Sequence, residues 1–172
     1  MRTNLAACLF VFAGALPALA DGVVDKIMTA ADKARLAAYG TVRAEAIAEA
    51  RAGGAPADLA VLDAILVAPQ IPFAGLDMAG TWQCRTTKVG GLGALVVYGW
   101  FKCKVGDDGS GWLLEKTSGS QRTKGRFYDD GERRLIYLGS FFVAGEAPKP
   151  YGSGPGSDQV GYAFRTGERA WR

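Results

Sequence analysis

Apolar positions along the chain change their spacing near residue 70. Between residues 21 and 68 alanines are interspersed with charges, and Met28, Ala31, Tyr39, Val42, Ala46 and Ala50 recur on or near one face of a 3.6-residue period. Thr29 followed by Asp32 has the spacing of a capping box, in which each side chain satisfies a backbone N–H of the other residue. The pattern predicts one helix from there to about Arg51, stopped at Gly53-Gly54. Gly40 weakens its middle by about 1 kcal/mol relative to alanine. A second, shorter helix starts at Pro56, a favoured first helical position, and ends before Pro69 with Leu59, Leu62 and Leu66 as its buried stripe.

From Ala79 onward the period becomes two. Strands are expected over residues 80–89, 94–105, 112–117, 126–128, 133–143, 159–165 and 169–172. In the second of these, alternation puts Leu95, Val97, Phe101, Cys103 and Val105 on one face. If the first two strands are antiparallel neighbours, Cys84 and Cys103 face each other across the ladder. Asp107-Asp108-Gly109-Ser110-Gly111 reads as a turn. Asp129-Asp130-Gly131-Glu132 reads as a hairpin, because Asp-Gly tolerates the positive φ such turns need. Residues 144–157, dense in Gly and Pro, form a long loop, and long loops in compact domains are often functional. About seven short strands at regular spacing predict an α+β fold. Two helices form an N-terminal arm (21–70), packed on an antiparallel β-barrel or strongly bent sheet (71–172) within one domain.

The first twenty residues belong to neither part. Arg2 supplies a positive start, residues 5–16 are uncharged and apolar, and Ala18-Leu19-Ala20 fits the small-x-small cleavage rule. This apolar run is shorter than the roughly 20 residues of a membrane span. A signal peptide cleaved before Asp21 is expected, with an uncleaved anchor as the alternative, and the mature protein is expected in the periplasm or secreted. Leu5-Ala6-Ala7-Cys8 has the letters of a lipoprotein cleavage box, but it precedes most of the apolar run, so Cys8 leaves with the leader. Of the 20 Lys and Arg, Arg2 leaves as well, against 17 Asp and Glu that stay. So mild and mixed a charge balance does not argue for nucleic acid. No later stretch is long and apolar enough to span a bilayer. The two remaining cysteines, Cys84 and Cys103, are most simply a disulfide in an oxidising compartment, worth about 3 kcal/mol on the chain-entropy estimate.

Candidate chemistry is limited by an absence: the 172 residues contain no histidine. Ser-His and Cys-His nucleophile pairs and imidazole metal sites are therefore excluded, and acid–base work would fall to Asp, Glu, Lys or Tyr. No metal and no cofactor are expected. The carboxylate pairs Asp107-Asp108 and Asp129-Asp130 sit beside glycines, where turn chemistry explains them. Gly90-Gly91-Leu92-Gly93 is followed by neither a helix nor a P-loop lysine, which argues against phosphate binding there. The polar cluster Ser118-Gly119-Ser120-Gln121-Arg122 is either a solvated connection or an anion- or peptide-binding loop with Arg122 as the charged contact. Asp158-Gln159, after the Gly/Pro loop, either caps a strand or faces a ligand. The candidate binding surface combines Ser120, Gln121 and Arg122 with Tyr151, Asp158 and Gln159.

Gly80-Thr81-Trp82 resembles the Gly-x-Trp that opens the first strand of lipocalins and related barrels, which favours a barrel. The whole run resembles an exported proteobacterial family, domain of unknown function 4893. The carrying stretches are AEAIAEARAGG, WQCRTTKVG, YGWFKC, KTSGSQRTKGRFYDDGERRLIYLG, PYGSGP and DQVG, spanning about residues 30 to 172. The resemblance implies export and a single domain, and brings no activity or site residue with it. Three functions are expected in order: a non-catalytic envelope module that binds an unknown ligand or envelope protein, an inhibitor of a lysozyme or secreted protease, and an enzyme using carboxylate or tyrosine chemistry.

Overall fold

Thr29 opens the main helices as its spacing predicts. The structure, a computed structural model, describes residues 22–91 and 93–172; the expected leader, the cleavage before Asp21 and Cys8 lie outside these residues. Four helical segments come first: α1 (Val24–Ile27), α2 (Ala30–Ala37), α3 (Tyr39–Gly53) and α4 (Pro56–Val67). Thr29 Oγ1 accepts from the Asp32 amide at 3.2 Å, which caps α2. The other half of the expected box is relayed. The Thr29 amide donates to the Tyr151 hydroxyl at 3.2 Å, and that hydroxyl donates to Asp32 Oδ2 at 2.6 Å. The single helix expected over 29–51 is broken at Ala38, two residues before Gly40, into α2 and α3. α1 was not expected, since one helical turn carries no periodicity to read. Pro56 starts α4, and Val67 ends it before Pro69.

Six strands follow as one antiparallel meander: β1 (Gly80–Val89), β2 (Leu95–Asp107), β3 (Trp112–Lys116), β4 (Gln121–Asp129), β5 (Leu135–Val143) and β6 (Asp158–Ala163). The sheet curls strongly into a half-barrel, so the α+β class and the bent sheet hold. A small second sheet pairs β7 (Arg165–Gly167) with β8 (Ala170–Trp171). The strand expected over 159–165 is therefore interrupted at Phe164, whose backbone exchanges hydrogen bonds of 2.7 and 2.9 Å with Arg172. The strand expected over 126–128 is longer and begins at Gln121, which puts Gln121 and Arg122 on β4 rather than in a loop.

Cys84 and Cys103 are disulfide-bonded with their Cα atoms 5.9 Å apart. They are diagonal neighbours, Cys84 lying opposite Phe101 and Cys103 opposite Trp82. Between the pairs Arg85–Trp100 and Thr87–Val97 the ladder slips by one residue. Tyr98 and Gly99 thus face the single residue Thr86, and a bulge of this kind switches the faces beyond it. The single apolar face expected for β2 is accordingly split. Cys103 and Val105 join the core inside the half-barrel with Met78, Leu114 and Phe127. Leu95 and Val97 pack outward on Ala50 of α3 and Leu62 of α4. On the same outer side, Val24 and Met28 cover Ile136 and Leu138 of β5. The helices thus back the convex face, and the apolar core fills one end of the concave face. The expected helix stripe is also corrected, because Ala31, Tyr39 and Val42 are exposed: beyond the break at Ala38 the Tyr39 ring meets Tyr162 of β6 edge-on, and Val42 stands beside open space rather than in the core.

Candidate functional site

The end of the concave face that the core leaves unfilled forms an open cup of about 630 Å³. Alternation along the strands selects most of its lining, and at the start of β4 three consecutive residues contribute. Thr86 and Lys88 come from β1, Tyr98 and Phe101 from β2, Lys116 from β3, Gln121, Arg122 and Thr123 from β4, Phe141 from β5 and Gln159 from β6. Ser120, in the β3–β4 connection, completes the rim. Four of the residues expected from the sequence, Ser120, Gln121, Arg122 and Gln159, therefore meet in one cavity.

Next to the cup, the sheet gives up two side chains to seat a ring. Gly125 and Gly139 are direct partners across β4 and β5. A Cβ on Gly125 would lie 2.6 Å from Tyr137 Cζ, and one on Gly139 would meet that ring and the Lys124 carbonyl oxygen at 2.6 Å. Tyr137 fills this space and shares a hydrogen bond with Thr123 Oγ1, which donates to Gln159 Oε1 at 2.5 Å. Burial pushes the Tyr137 phenol up to about 12, so it stays neutral as part of this polar chain.

The cup is cationic. Lys88, Lys116 and Arg122 line it, and no carboxylate does. Lys88 Nζ donates to Gln121 Oε1 at 3.0 Å, and Arg122 Nε donates to the Gly119 carbonyl at 3.1 Å. Lys116 is only 9% exposed, with its Nζ 3.6 Å from the centre of the Phe101 ring. Among the described residues none of the ion pairs involves any of these three cations. Burial lowers the Lys116 ammonium below its ordinary value, and Lys88 and Arg122 lower it further.

Tyr151 and Asp158 lie elsewhere. Asp158 and Gln159 are consecutive on β6, so they point to opposite faces. The Asp158 carboxylate is buried and accepts from the amides of Gly152 and Gly154, at 3.1 Å each, which folds the Gly/Pro loop back on itself. Tyr151 carries that loop to Asp32. Arg35 completes the knot, with Nε donating to Asp32 Oδ1 at 2.7 Å and a terminal nitrogen to the Asp158 carbonyl at 3.0 Å. Burial alone would raise the fully buried Asp32 carboxyl, but the bonds from Tyr151, Arg35 and Thr29 outweigh it and hold the group below its usual value. This cluster fastens the helical arm to the sheet.

The carboxylate pairs sit where strands run into turns, with Asp107 ending β2 and Asp129 ending β4. Asp107 Oδ1 accepts from the Gly109 amide at 2.8 Å, and Asp108 accepts from the Ser110 hydroxyl at 2.7 Å and from Arg126 at 2.6 and 2.9 Å. Asp130 pairs with Arg134. Among the described residues no group of three or more Cys, Asp or Glu side chains is arranged to hold a metal ion, and no helix is long and apolar enough to cross a membrane.

Thr86, Lys88, Lys116, Thr123 and Phe141 line the cup without having been singled out in the sequence, and Phe101 was expected there only as part of the apolar face of β2. Lys116 did leave a signal: it stands two residues after Leu114 and four after Trp112, at the inward parity of β3.

A family model, the domain of unknown function 4893, matches residues 25–172. The chain belongs to this family. The domain of unknown function 4893 thus comprises both the helical arm and the half-barrel, so the cup and the Asp32–Tyr151 knot are parts of one family unit. No curated protein and no solved structure matches the chain.

Proposed function

We propose that this domain works outside the cytoplasm as a non-catalytic binding module that takes a small organic anion into the cup. One observation carries the reading: Lys116 is almost buried, lies beside Lys88 and Arg122, and has no carboxylate partner among the described residues. Removing a cation from water without pairing it is unfavourable, and a bound anion would supply the missing charge. The aromatic side chains of Tyr98, Phe101 and Phe141 suit an apolar or ring portion of the ligand. Ser120, Thr123 and Gln159 supply neutral hydrogen-bonding groups for orientation, the usual mixture in small-molecule sites. The signal-like N-terminus and the disulfide support export. The absence of histidine supports binding over catalysis.

The native mass of the protein purified from its own cells tests this reading. A bound anion is expected, lost on denaturation and missing from the Lys116→Met variant. An identical adduct on both proteins would contradict the assignment to the cup.

A further inference from the structure

Strand β1 has a second use for its alternate residues. Thr86 and Lys88 face the cup, whereas Thr87 and Val89 face a groove on the opposite side of the sheet, beneath α3 and α4. This groove has a volume of about 380 Å³, within the range of small-molecule sites. Its apolar walls are mainly aliphatic, with Val42 and Ile47 from α3, Ile65 and Leu66 from α4 and Val89 from β1, and Tyr39 is the one aromatic residue in the lining. Val42 is 56% exposed, so the apolar stripe of α3 faces an open space.

Three arginines and no carboxylate stand at this groove. Arg35 is already committed to Asp32 and to the Asp158 carbonyl. Arg172 donates to the Ile65 carbonyl and lies over the Phe164 ring at 5.6 Å, while two backbone hydrogen bonds to Phe164 fix its position. Among the described residues no ion pair involves Arg43 or Arg172. Burial holds the Arg172 guanidinium below its ordinary value; Tyr39 opposes this shift, and the neighbouring Arg43 adds to it. Two guanidinium groups without an acidic side-chain partner among the described residues thus stand beside the aliphatic walls.

We propose that this groove binds a free single-chain acyl carboxylate, with its tail against Val42, Ile47 and Leu66 and its head group between Arg43 and Arg172. Charge complementarity selects the head group, because a guanidinium matches the two oxygens of a carboxylate. The predominance of aliphatic walls, with Tyr39 the one ring among them, suits a hydrocarbon tail. The site lies across the sheet from the cup and does not depend on the cup being occupied.

Calorimetric titration of the purified protein with decanoate, below its micelle-forming concentration, tests the proposal. One-to-one saturable binding is expected, with 1-decanol binding about tenfold or more weakly for want of a charge-assisted contact. Arg43→Gln should weaken decanoate by about tenfold on the same ground. Val42→Glu, which puts a carboxylate into the trough, should abolish it, while Lys116→Met should leave it unchanged. Val42 and Arg43 are exposed, and unchanged melting temperatures of the two variants confirm that they fold. The proposal is overturned by any of four results: no saturable binding, equal affinity for decanoate and 1-decanol, decanoate binding that survives Val42→Glu, or loss on Lys116→Met, which would place the ligand in the cup. Sedimentation of the protein with phosphatidylglycerol vesicles, abolished by Val42→Glu, would replace the free acyl ligand by a membrane surface and also overturn it.

Discussion

Lys116 Nζ lies 3.6 Å from the centre of the Phe101 ring, in a cup that contains two more cations and no carboxylate. The ring face offers this ammonium weak electrostatic compensation in place of a counter-ion. On the proposed reading, such an arrangement should lower the stability of the empty protein and favour a bound anion.

Lys116→Met keeps the unbranched shape of the side chain, one atom shorter, and removes the charge. The variant should be more stable than the parent by about 1 kcal/mol, roughly 2–4 °C in melting temperature for a domain of this size. It should also lose anion binding. Thermal denaturation of the two proteins without ligand checks the first part, and a lower melting temperature for the variant would mean that Lys116 has a partner outside this account.

The lowered ammonium value of Lys116 gives the binding a pH dependence. A base whose folded value lies below its unfolded one loses its charge early as pH rises. Anion affinity should therefore fall at a pH below that of an ordinary lysine, 10.5. Affinity measured from pH 7 to 10 for the parent and for Lys116→Arg separates the effect from general alkaline damage, because arginine stays charged throughout.

Gly139 has no room for a side chain. In Gly139→Ala the new methyl group would press on the Tyr137 ring and on the Lys124 carbonyl oxygen. Overpacking of this kind costs about 1–3 kcal/mol. Chemical denaturation measures the loss. Tyr137→Phe combined with Gly139→Ala should recover only part of it, because it removes the nearest clash, with the Tyr137 hydroxyl, while the ring carbon Cζ and the Lys124 carbonyl oxygen remain in the way.

The Asp32 knot should make the domain acid-sensitive. Its carboxyl is held below the ordinary value of 3.8 in the folded state. The sign follows from linkage: stability from this group is fully present above the unfolded value and is lost as pH falls through the folded one. Tyr151→Phe removes one of the bonds that hold this carboxyl down and should lower stability at pH 7 by about 1–2 kcal/mol. It should also flatten the loss below pH 4, checked by denaturant titrations of both proteins from pH 7 to pH 3. Parallel curves would show that Tyr151 does not set the Asp32 value.

Periodicity and turn chemistry made much of this fold legible. Thr29, Pro56 and the Asp-Gly hairpin each mark the element that their local chemistry requires, and the cysteine pair follows from adjacent antiparallel strands. The departures have physical causes. At the β2 bulge, one extra residue sends Phe101 and Val97 to opposite faces, and no periodicity in β2 announces it. Alternation separates Asp158 from Gln159, although both follow the same loop. The role of Tyr151 was not legible, because its hydroxyl completes a cap on a helix 119 residues away. The two lysines of the cup were missed for a simpler reason: a lysine on a strand is ordinarily read as solvent-facing, and the parity of Lys116 with Leu114 was the available counter-signal.

The most direct test of the anion-binding cup is a calorimetric titration with phenyl phosphate, using benzyl alcohol as the neutral control, on the parent protein and on Lys116→Met. The account expects saturable binding of phenyl phosphate alone, weakening as salt is added and lost in Lys116→Met. Binding of equal strength in the parent and in Lys116→Met, or no preference for the anion over the alcohol, would contradict it.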